Sequence, residues 1–369
     1  MLKKRLLFFI NTLSCGGAEK VLVDLVNTLK NQYDVTVVSV LGGTYENSLS
    51  DDVKYRKIVN CKNAFLQKFF SKIIFKTPYC IVNAFFLRGK FDIEVAYLGG
   101  FSTKVIAHRR SKAKKIAFVH TDVSKSGKYD NLYGTREEAL KEYNKFYTVC
   151  FVSEVAKSGF ENKYGSLKNT YVIHNVVDVD AIKLQAEKEN NYDYKTQGLK
   201  MISVGRLSYE KGYDRLIKIL KKLENEFDFE LWILGEGAER QKLEALIEEG
   251  QVKSVKLLGY QQNPYSFVKK ADLYICSSLF EGYSTSVTEA IVLGVPVLTT
   301  DCAGMNEILK NGIYGIITEN SEEGLKNGLL NVFNDKNYYE NLKTTLQKYS
   351  REYSNEYAIK EYDKLFKGI

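Results

Sequence analysis

MISVGRLSYEKGYDRLIKIL, residues 201–220, is the stretch that predicts the fold of this chain. A short apolar strand over Met201–Val204 runs into a glycine-bounded loop, and a helix with periodic apolar positions follows from about Asp214. The same order of strand, loop and helix recurs along the 369 residues. Because alternating strands and helices build parallel sheets with helices on both faces, the sequence predicts an α/β protein.

The predicted strands form two series, separated by a polar stretch at Glu187–Gly198 that has the composition of a linker. A chain of this length exceeds one ordinary core and suits two domains of roughly 150–200 residues each. We therefore expect one domain over residues 1–183 and a second over residues 196–345. Strands are predicted at Leu6–Ile10, Val35–Val40, Ile93–Tyr97, Ile116–Val119, Thr148–Val152 and Tyr171–Ile173, and then at Met201–Val204, Glu230–Leu234, Val255–Leu258, Leu273–Ser277 and Val297–Thr300.

Basic residues are concentrated in the first half of the chain. Residues 1–168 carry 28 basic and 15 acidic side chains, whereas the remaining residues carry 25 and 30. Nine basic residues and no acidic residue lie within Lys54–Lys90, interleaved with aromatic and aliphatic side chains. Such a segment is typical either of a solvated basic face or of a site for an anionic membrane surface. No nucleic-acid-binding motif accompanies the charge, so we expect a membrane surface as partner and no nucleic acid.

Neither a secretory signal nor a membrane span is predicted. The apolar run Leu6–Ile10 has five residues, fewer than the about 7–15 of a signal core, and no run reaches the roughly 18 of a membrane span. We expect a cytoplasmic protein attached peripherally to the inner face of the cell membrane. The six cysteines and three histidines lack metal-site spacing, and Asp178-Val179-Asp180 predicts a turn and a helix N-cap. We therefore expect no metal and no other cofactor.

Glycine pairs follow two of the predicted strands. Gly16-Gly17 precedes a predicted helix, where free amides and the helix dipole favour an anion, although a tight turn alone would also explain the pair. Gly235-Glu236-Gly237 follows another strand, but Arg240 stands where a dinucleotide-binding fingerprint has its third glycine. A nicotinamide-type dinucleotide site is therefore excluded.

Two cations and two glutamates make up the strongest candidate site. Arg206 and Lys211 lie on the loop after the first strand of the second half, where a fork-shaped and a point-like cation suit a diphosphate. Glu281 falls in a predicted loop and Glu289 in the following helix, where the carboxylates can accept sugar hydroxyls beside a helix start that offers amides to a phosphate. Two structural alternatives stay open, ordinary surface cations for the basic pair and a capping box at Ser286-x-x-Glu289 for the acidic pair.

With these residues the sequence resembles the retaining glycosyltransferases of family four. The resemblance is specific over residues 201–319 and looser over residues 1–177. The local sequences that begin at Glu281 and at Asp301 are similar to those of bacterial enzymes that build capsular and other surface polysaccharides. Many members have Gly or Pro where Ser284 stands here. The motifs are Gly16-Gly17-Ala18-Glu19, Gly205-Arg206, Lys211-Gly212, Glu281-x7-Glu289-Ala290 and Gly294-Val295-Pro296.

The resemblance implies the GT-B fold, two facing Rossmann-like domains with a deep cleft between them, and a C-terminal segment, residues 346–369, that returns to the first domain. It also implies residue roles: Glu289 holds the ribose hydroxyls, Glu281 the donor sugar, and His120 the sugar near its anomeric carbon, while Gly17 allows close approach. The implied catalytic residues are His120, Arg206, Lys211 and Glu281. The implied donor-binding residues are Gly16, Gly17, Arg206, Lys211, Tyr260, Glu281, Gly282, Tyr283, Ser284, Thr285, Ser286 and Glu289.

The resemblance further implies a metal-independent hexosyl- or N-acetylhexosaminyltransferase that uses a nucleotide-sugar donor, with a preference for UDP. Its expected acceptor is a glycan, such as a sugar linked to polyprenyl diphosphate, in surface polysaccharide synthesis. Two alternatives share the architecture: a sugar-nucleotide epimerase, and a non-catalytic subunit that only binds sugar nucleotides. The intact glutamate pair, cation pair and glycine pair favour the transferase.

Overall fold

The computed structural model describes residues 3–14, 16–61, 63–124, 133–350 and 355–368. The chain divides into two compact units. The first contains the residues up to Val176 together with those from Glu356 onward, and the second runs from Val177 to Asn355. Each unit, within the described residues, is built around one parallel sheet. The predicted α/β class and the two Rossmann-like domains are confirmed.

The sheet of the first unit has seven strands within the described residues, in the order β3-β2-β1-β4-β5-β6-β7, all parallel. Every strand that the sequence predicts here is present, whereas the third strand was not predicted. Its residues, Lys-Tyr-Arg-Lys, lie at the sheet edge and have no apolar run. The strands are β1 Arg5–Ile10, β2 Asp34–Ser39, β3 Lys54–Lys57, β4 Ile93–Ala96, β5 Lys114–Val119, β6 Thr148–Phe151 and β7 Thr170–Val172.

The central strand β1 shows why the sequence of this unit reads as continuous apolar runs. Leu6 and Phe8 face one hydrophobic cluster, whereas Leu7 and Phe9 face another on the opposite side of the sheet. A strand that is covered on both faces needs apolar residues at every position. The covering helices of this unit are α1 Gly17–Leu29, α2 Ala64–Lys76, α3 Tyr79–Phe86, α4 Phe101–Ala107, α5 Arg136–Tyr143 and α6 Glu154–Tyr164.

The second unit repeats this plan with six parallel strands in its described residues, in the order β10-β9-β8-β11-β12-β13. The last strand was not predicted from the sequence. The strands are β8 Leu199–Val204, β9 Phe229–Leu234, β10 Val255–Gly259, β11 Leu273–Cys276, β12 Val297–Thr300 and β13 Gly315–Thr318. The helices are α7 Val179–Ala186, α8 Tyr213–Leu223, α9 Arg240–Gly250, α10 Tyr265–Val268, α11 Thr285–Val292, α12 Met305–Ile308, α13 Glu322–Asn334 and α14 Lys336–Ser350.

The boundary between the units lies earlier than the sequence indicates. We expected residues 177–183 in the first domain, but α7 packs in the second unit, where Val179 and Ile182 join Tyr265 and Val292 in one hydrophobic cluster. The helix begins at the predicted N-cap, because the Asp178 side chain accepts a hydrogen bond from the Ala181 amide at 3.0 Å. An apolar helix face requires cover, and α10 and α11 provide it.

The predicted linker Glu187–Gly198 is attached to the second unit by its aromatic and polar side chains. The Tyr194 ring stacks on the buried Trp232 ring, with their centroids 3.6 Å apart and the planes 4° from parallel. Thr196 donates a hydrogen bond to the Asp228 carboxylate at 2.5 Å. Despite its polar composition, this stretch packs on the second unit, because its two tyrosines, Tyr192 and Tyr194, have aromatic partners.

The expected return of residues 346–369 to the first unit holds for the last helix, α15 Asn355–Lys367, whereas residues 346–350 belong to α14 of the second unit. Tyr362, Leu365 and Phe366 are buried in the cluster that includes Phe8 and Phe118. The Tyr33 hydroxyl also donates to the Asp363 carboxylate at 2.6 Å. The predicted helical spacing began at Tyr353, which lies outside the described residues. Within the described ranges, no helix has both the length and the apolar composition that crossing a bilayer requires.

Candidate functional site

The loops after β8 and β11 are joined to each other at the carboxyl ends of the two strands. The Ser277 hydroxyl donates to the Lys211 carbonyl at 2.9 Å, and the Leu279 amide donates to the Glu210 carbonyl at 2.8 Å. Gly212 has a φ of +61°, and a β-carbon there would come within 2.4 Å of the Ser277 carbonyl oxygen. The glycine is therefore required by both its conformation and this close approach. Ligand sites of open parallel sheets lie at this edge.

This junction brings together Lys211 and Glu281, two residues of the sequence-predicted site. The Lys211 ammonium donates to Glu281 Oε1 at 2.6 Å, and the Ser278 hydroxyl donates to the same oxygen at 2.7 Å. Both hydrogen bonds that Glu281 accepts from the described residues end on Oε1. This leaves Oε2 as an acceptor for a ligand hydroxyl.

The Glu281 carboxylate determines the protonation state of Lys211. Burial opposes the charged ammonium, but the neighbouring Glu281 carboxylate outweighs it, so the pKa of Lys211 is raised above its ordinary value. The side chains are largely covered, with 20% of Lys211 and 14% of Glu281 exposed. A charge pair that is partly removed from water attracts more strongly than one in solvent. Lys211 therefore remains a cation at every physiological pH.

Arg215, for which no sequence motif predicts a role, holds the loop that carries Glu281. Its guanidinium is buried and donates to the Ser277 carbonyl, at 2.7 Å from Nη2 and 3.1 Å from Nε. The same Nη2 donates to the Ser278 carbonyl and to Asn320 Oδ1, both at 2.8 Å. Burial lowers the pKa of Arg215 from its ordinary value. Its oxygen partners are carbonyl groups, so the cation fixes the backbone of residues 277 and 278.

The helix α11 begins one turn before Glu289. Its N-cap is Ser284, whose hydroxyl accepts from the Val287 amide at 3.5 Å, so the capping box considered at Ser286-x-x-Glu289 is wrong. Ser286 lies inside the helix, and the first helical amides have no acceptor within it. Glu289 is 7% exposed and accepts a hydrogen bond from the Tyr265 hydroxyl at 3.3 Å. The helix start thus offers amides to an anion while Glu289 stays buried beside it.

Arg206 is exposed on the loop that also carries Lys211. The neighbouring glycines support this loop by close backbone approach. A β-carbon on Gly235 would lie 1.9 Å from the Gly205 carbonyl oxygen, and one on Gly237 would lie 2.1 Å from the Leu207 carbonyl oxygen. The glycines of the Gly235-Glu236-Gly237 turn therefore have a packing role.

His120 directly follows β5 in the first unit. Its ring lies 4.6 Å from the Tyr97 ring, centroid to centroid, and neither ring nitrogen has a hydrogen bond of ordinary geometry to any residue that the structure describes. Burial lowers the pKa of His120 to about 4, although the Tyr97 backbone and the Asn175 side chain favour the protonated ring. The imidazole is therefore neutral at physiological pH, and it can accept or donate a hydrogen bond but brings no positive charge.

The remaining predicted residues are distributed over both units. Gly16 is the N-cap of α1 in the first unit, and Gly17 is its first residue. In the second unit Tyr260 is exposed just beyond β10, Gly282 and Tyr283 precede α11, and Thr285 is its first residue. A hydrogen bond joins Lys211 to Glu281. The N-cap of α11, Ser284, lies three residues after Glu281 in the chain. Within the part of the chain that the structure describes, no group of three or more His, Cys, Asp or Glu side chains could hold a metal ion.

Two family models match consecutive parts of the chain. The model described as Glycosyltransferase Family 4 matches residues 15–181, and the model described as Glycosyl transferases group 1 matches residues 185–349. Together they include all the sequence-predicted site residues. The division between them falls within α7, a few residues after the boundary between the two structural units at Val176 and Val177.

Individual proteins are similar to the chain as well. The uncharacterised glycosyltransferase MJ1059 of Methanocaldococcus jannaschii is 32% identical over 202 residues, which cover 49% of this chain and 50% of that protein. N-acetylgalactosamine-N,N'-diacetylbacillosaminyl-diphospho-undecaprenol 4-alpha-N-acetylgalactosaminyltransferase of Campylobacter jejuni is 30% identical over 194 residues, 52% of this chain and 48% of that protein. The aligned region thus spans about half the length of these curated relatives.

A solved structure shares the fold over nearly the whole chain. The crystal structure of Anabaena Alr3699/HepE in complex with UDP-glucose aligns with a TM-score of 0.78 at 17% sequence identity, covering 99% of this chain and 100% of that one. At this identity the likeness concerns the fold. The GT-B fold implied by the sequence resemblance is thereby confirmed.

The neutral state of His120 gives a testable prediction. In an NMR titration, the ring signal that disappears in the His120→Asn variant should stay unshifted from pH 8 to pH 5 and move with a midpoint near pH 4. The unfolded chain takes up this proton near pH 6.5, so its burial should cost stability progressively as the pH falls from 6.5 to 4. The exposed His174, replaced in His174→Asn, is the matched control. A His120 midpoint near 6.5 would contradict the assignment.

Proposed function

The chain belongs to glycosyltransferase family four, and we propose that it transfers a sugar from a UDP-sugar to a glycan acceptor with retention of the anomeric configuration. The observation that carries this proposal is the Lys211–Glu281 pair beside the capped start of α11. It brings together a lysine that stays charged, a carboxylate and the first amides of a helix. These are the groups that a sugar diphosphate needs.

In this proposal the departing diphosphate is held by fixed positive charge. Arg206 contributes a planar guanidinium that matches two phosphate oxygens, and Lys211 contributes a point charge. The amides of Thr285 and Ser286, at the positive end of the α11 dipole, add hydrogen-bond donors. Because these groups are held in place before the reaction, they stabilise the charge that develops as the glycosidic bond breaks. No metal has a required place in this scheme.

The sugar and the nucleoside bind through the two glutamates. Oε2 of Glu281 accepts a donor-sugar hydroxyl, while Lys211 and Ser278 hold the other oxygen of the same carboxylate. Glu289, buried on α11, accepts the ribose hydroxyls. A uracil nucleotide is favoured because the structurally similar HepE is described in complex with UDP-glucose. A hexosyl or N-acetylhexosaminyl group is the proposed cargo.

Retention is proposed to follow from attack on the face that the leaving group vacates. The bond between the anomeric carbon and the β-phosphate oxygen breaks, and its electron pair goes to the phosphate. The acceptor hydroxyl oxygen bonds to the anomeric carbon on the same face, and its proton passes to the departing phosphate oxygen. His120, as a neutral ring, hydrogen-bonds to the donor sugar near the anomeric carbon. Gly17, the first residue of α1, is proposed to allow close approach by the acceptor and the diphosphate.

The proposed acceptor is a glycan carried on polyprenyl diphosphate, in the synthesis of capsule or another surface polysaccharide. The name of the Campylobacter jejuni relative includes a diphospho-undecaprenol acceptor, which supports this class. Such an acceptor is held in a membrane, so we propose a peripheral protein on the cytoplasmic face, attracted to anionic lipid by Lys54–Lys90. The nine basic residues and the absence of acidic residues in this segment support the attraction.

The proposal is tested by incubating the purified protein with labelled UDP-sugars and a polyprenyl-diphosphate-linked glycan. We expect a glycan that is longer by one sugar, whose anomeric NMR signal has the configuration of the donor. Without acceptor, slow release of UDP is expected. Epimerised sugar nucleotide as the product would show a sugar-nucleotide epimerase instead, and UDP-sugar binding without turnover would show a non-catalytic binding subunit.

The diphosphate assignment is tested by Arg206→Ala. We expect kcat/KM to fall by about 10²–10³-fold, the usual cost of removing one group that stabilises transition-state charge. The fold should survive, because Arg206 is exposed. The matched control is Lys218→Ala, which removes an exposed cation from α8 in the same unit. Near-normal transfer by Arg206→Ala would remove this residue from the diphosphate site.

Metal independence is tested by adding EDTA to the transfer assay. Activity should stay within about twofold of the untreated value, because Arg206 and Lys211 provide the charge that a divalent cation would otherwise supply. The control adds an excess of Mg²⁺ or Mn²⁺ back to the treated protein. Complete loss of transfer in EDTA, with recovery on adding a cation, would contradict the proposal.

A further inference from the structure

The helix α2, Ala64–Lys76, presents large apolar side chains to solvent. Phe65 is 77% exposed and Phe69 is 53% exposed. Three further apolar residues on the helix are also more than two-fifths exposed: Leu66, Phe70 and Ile73. Single exposed apolar residues are ordinary on protein surfaces, but a contiguous set of this size marks an interaction site.

The exposed apolar residues lie on one face of α2. Phe65, Phe69 and Ile73 follow each other at four-residue spacing, and Leu66 and Phe70 form a second row beside them. At about 100° per residue, these five positions span an arc of about 140°. The side that faces the protein carries Gln67, Ser71 and Ile74, of which Ser71 is buried. The usual amphipathic order is thus inverted, with the more apolar face outward.

The attachment of α2 to the first unit does not use this outward face. The Phe75 ring packs on Phe101 of α4 at 4.9 Å between centroids, and Tyr79, at the start of α3, packs on the same ring at 6.0 Å. Ile74 contacts the hydrophobic cluster on this side of the sheet. The outward aromatic residues are therefore not needed to hold the helix in place.

Charge identifies the occupant of this face. Lys68, Lys72 and Lys76 follow each other at four-residue spacing and border the row of Phe65 and Phe69. A second copy of the chain would bring two like-charged arrays together, whereas an anionic bilayer attracts lysines and also accepts aromatic side chains. The helix α3 continues the pattern with the exposed Phe85, which has the Arg88 guanidinium 6.0 Å from its ring centre.

We propose that α2 lies in the plane of an anionic bilayer with Phe65, Leu66, Phe69, Phe70 and Ile73 inserted at the boundary between headgroups and acyl chains. Lys68, Lys72 and Lys76 remain at the headgroup level. This deepens the proposed membrane partner, on which it rests, by adding insertion to electrostatic attraction. Two separable contributions follow: an electrostatic one that fades with salt, and an apolar one that does not.

The experiment compares sedimentation of the full-length protein with vesicles of phosphatidylcholine alone and with vesicles that contain about 30% phosphatidylglycerol. Wild-type protein should bind the anionic vesicles and keep a measurable part of this binding at about 1 M salt, where the screening length is roughly 3 Å. The double variant Phe65→Ser/Phe69→Ser should lose the salt-resistant part, with partition lowered about tenfold or more. The matched control is Leu184→Ser, which removes a 68% exposed apolar residue from the helix α7.

The charge arm uses the triple variant Lys68→Glu/Lys72→Glu/Lys76→Glu. Its partition at low salt should fall by about fivefold or more for each lysine, while the salt-resistant part changes less. Insertion itself is read from Phe69→Trp, whose fluorescence should shift to the blue on adding anionic vesicles. Trp232, the single native tryptophan, is buried and supplies a constant background.

Three outcomes would overturn the insertion. The first is that the Phe65→Ser/Phe69→Ser variant binds the vesicles as well as the wild-type protein does. The second is that the fluorescence of the Phe69→Trp variant stays unshifted although the protein sediments with the vesicles. Either result would mean that the protein binds the membrane by charge alone. The third is self-association of the wild-type protein without lipid that this double variant abolishes, which would make the face an interface between copies. UDP-sugar binding, followed by thermal shift, should be equal in all variants, so a failure of the transferase proposal is read separately from a failure of insertion.

Discussion

The arrangement of the second unit's site depends on one buried cation, Arg215. Its guanidinium donates to the carbonyls of Ser277 and Ser278 and to the Asn320 side chain, so it joins α8, the loop after β11 and the end of β13. A buried charge is costly unless its hydrogen bonds are made, and here backbone oxygens make them. The direction of the Ser278 side chain follows, and Ser278 in turn holds Glu281. The position of the carboxylate therefore depends on a residue that does not itself contact it.

The sequence predicted the strands wherever both faces of the sheet are covered, because such strands read as continuous apolar runs. The edge strand β3 has no such run, since its four residues alternate between exposed and half-buried positions. The unit boundary was placed too late for a related reason. The apolar spacing of α7 indicates that the helix needs cover, but it does not identify which sheet provides the cover. That choice is decided by contacts with α10 and α11, which are about 80–110 residues further along the chain.

The site was predictable to the extent that its chemistry lies in contiguous motifs. Lys211 and Glu281 stand at motif positions, and the structure brings their charged ends to 2.6 Å. Arg215 and Asn320 could not be selected, because their role depends on backbone carbonyls brought near by folding and not on neighbours in the sequence. The N-cap of α11 is Ser284, and not Ser286 as in the capping box that stayed open as a structural alternative. Ser284 and Ser286 have equal propensity for the position, and only the start of the helix separates them.

The surface of α2 illustrates a different limit of sequence reasoning. Its alternation of lysines and phenylalanines is compatible with a helix that packs its aromatic residues inward and leaves its lysines in water. The structure has the reverse, because Ile74 and Phe75 already fill the contact with the protein and Ser71 occupies the buried side. A folded chain in water gains nothing from outward phenylalanines, since apolar surface that stays exposed contributes no burial free energy. In the proposed membrane-bound state the bilayer interior would remove these side chains from water. The bordering lysines would favour a bilayer whose surface is negatively charged.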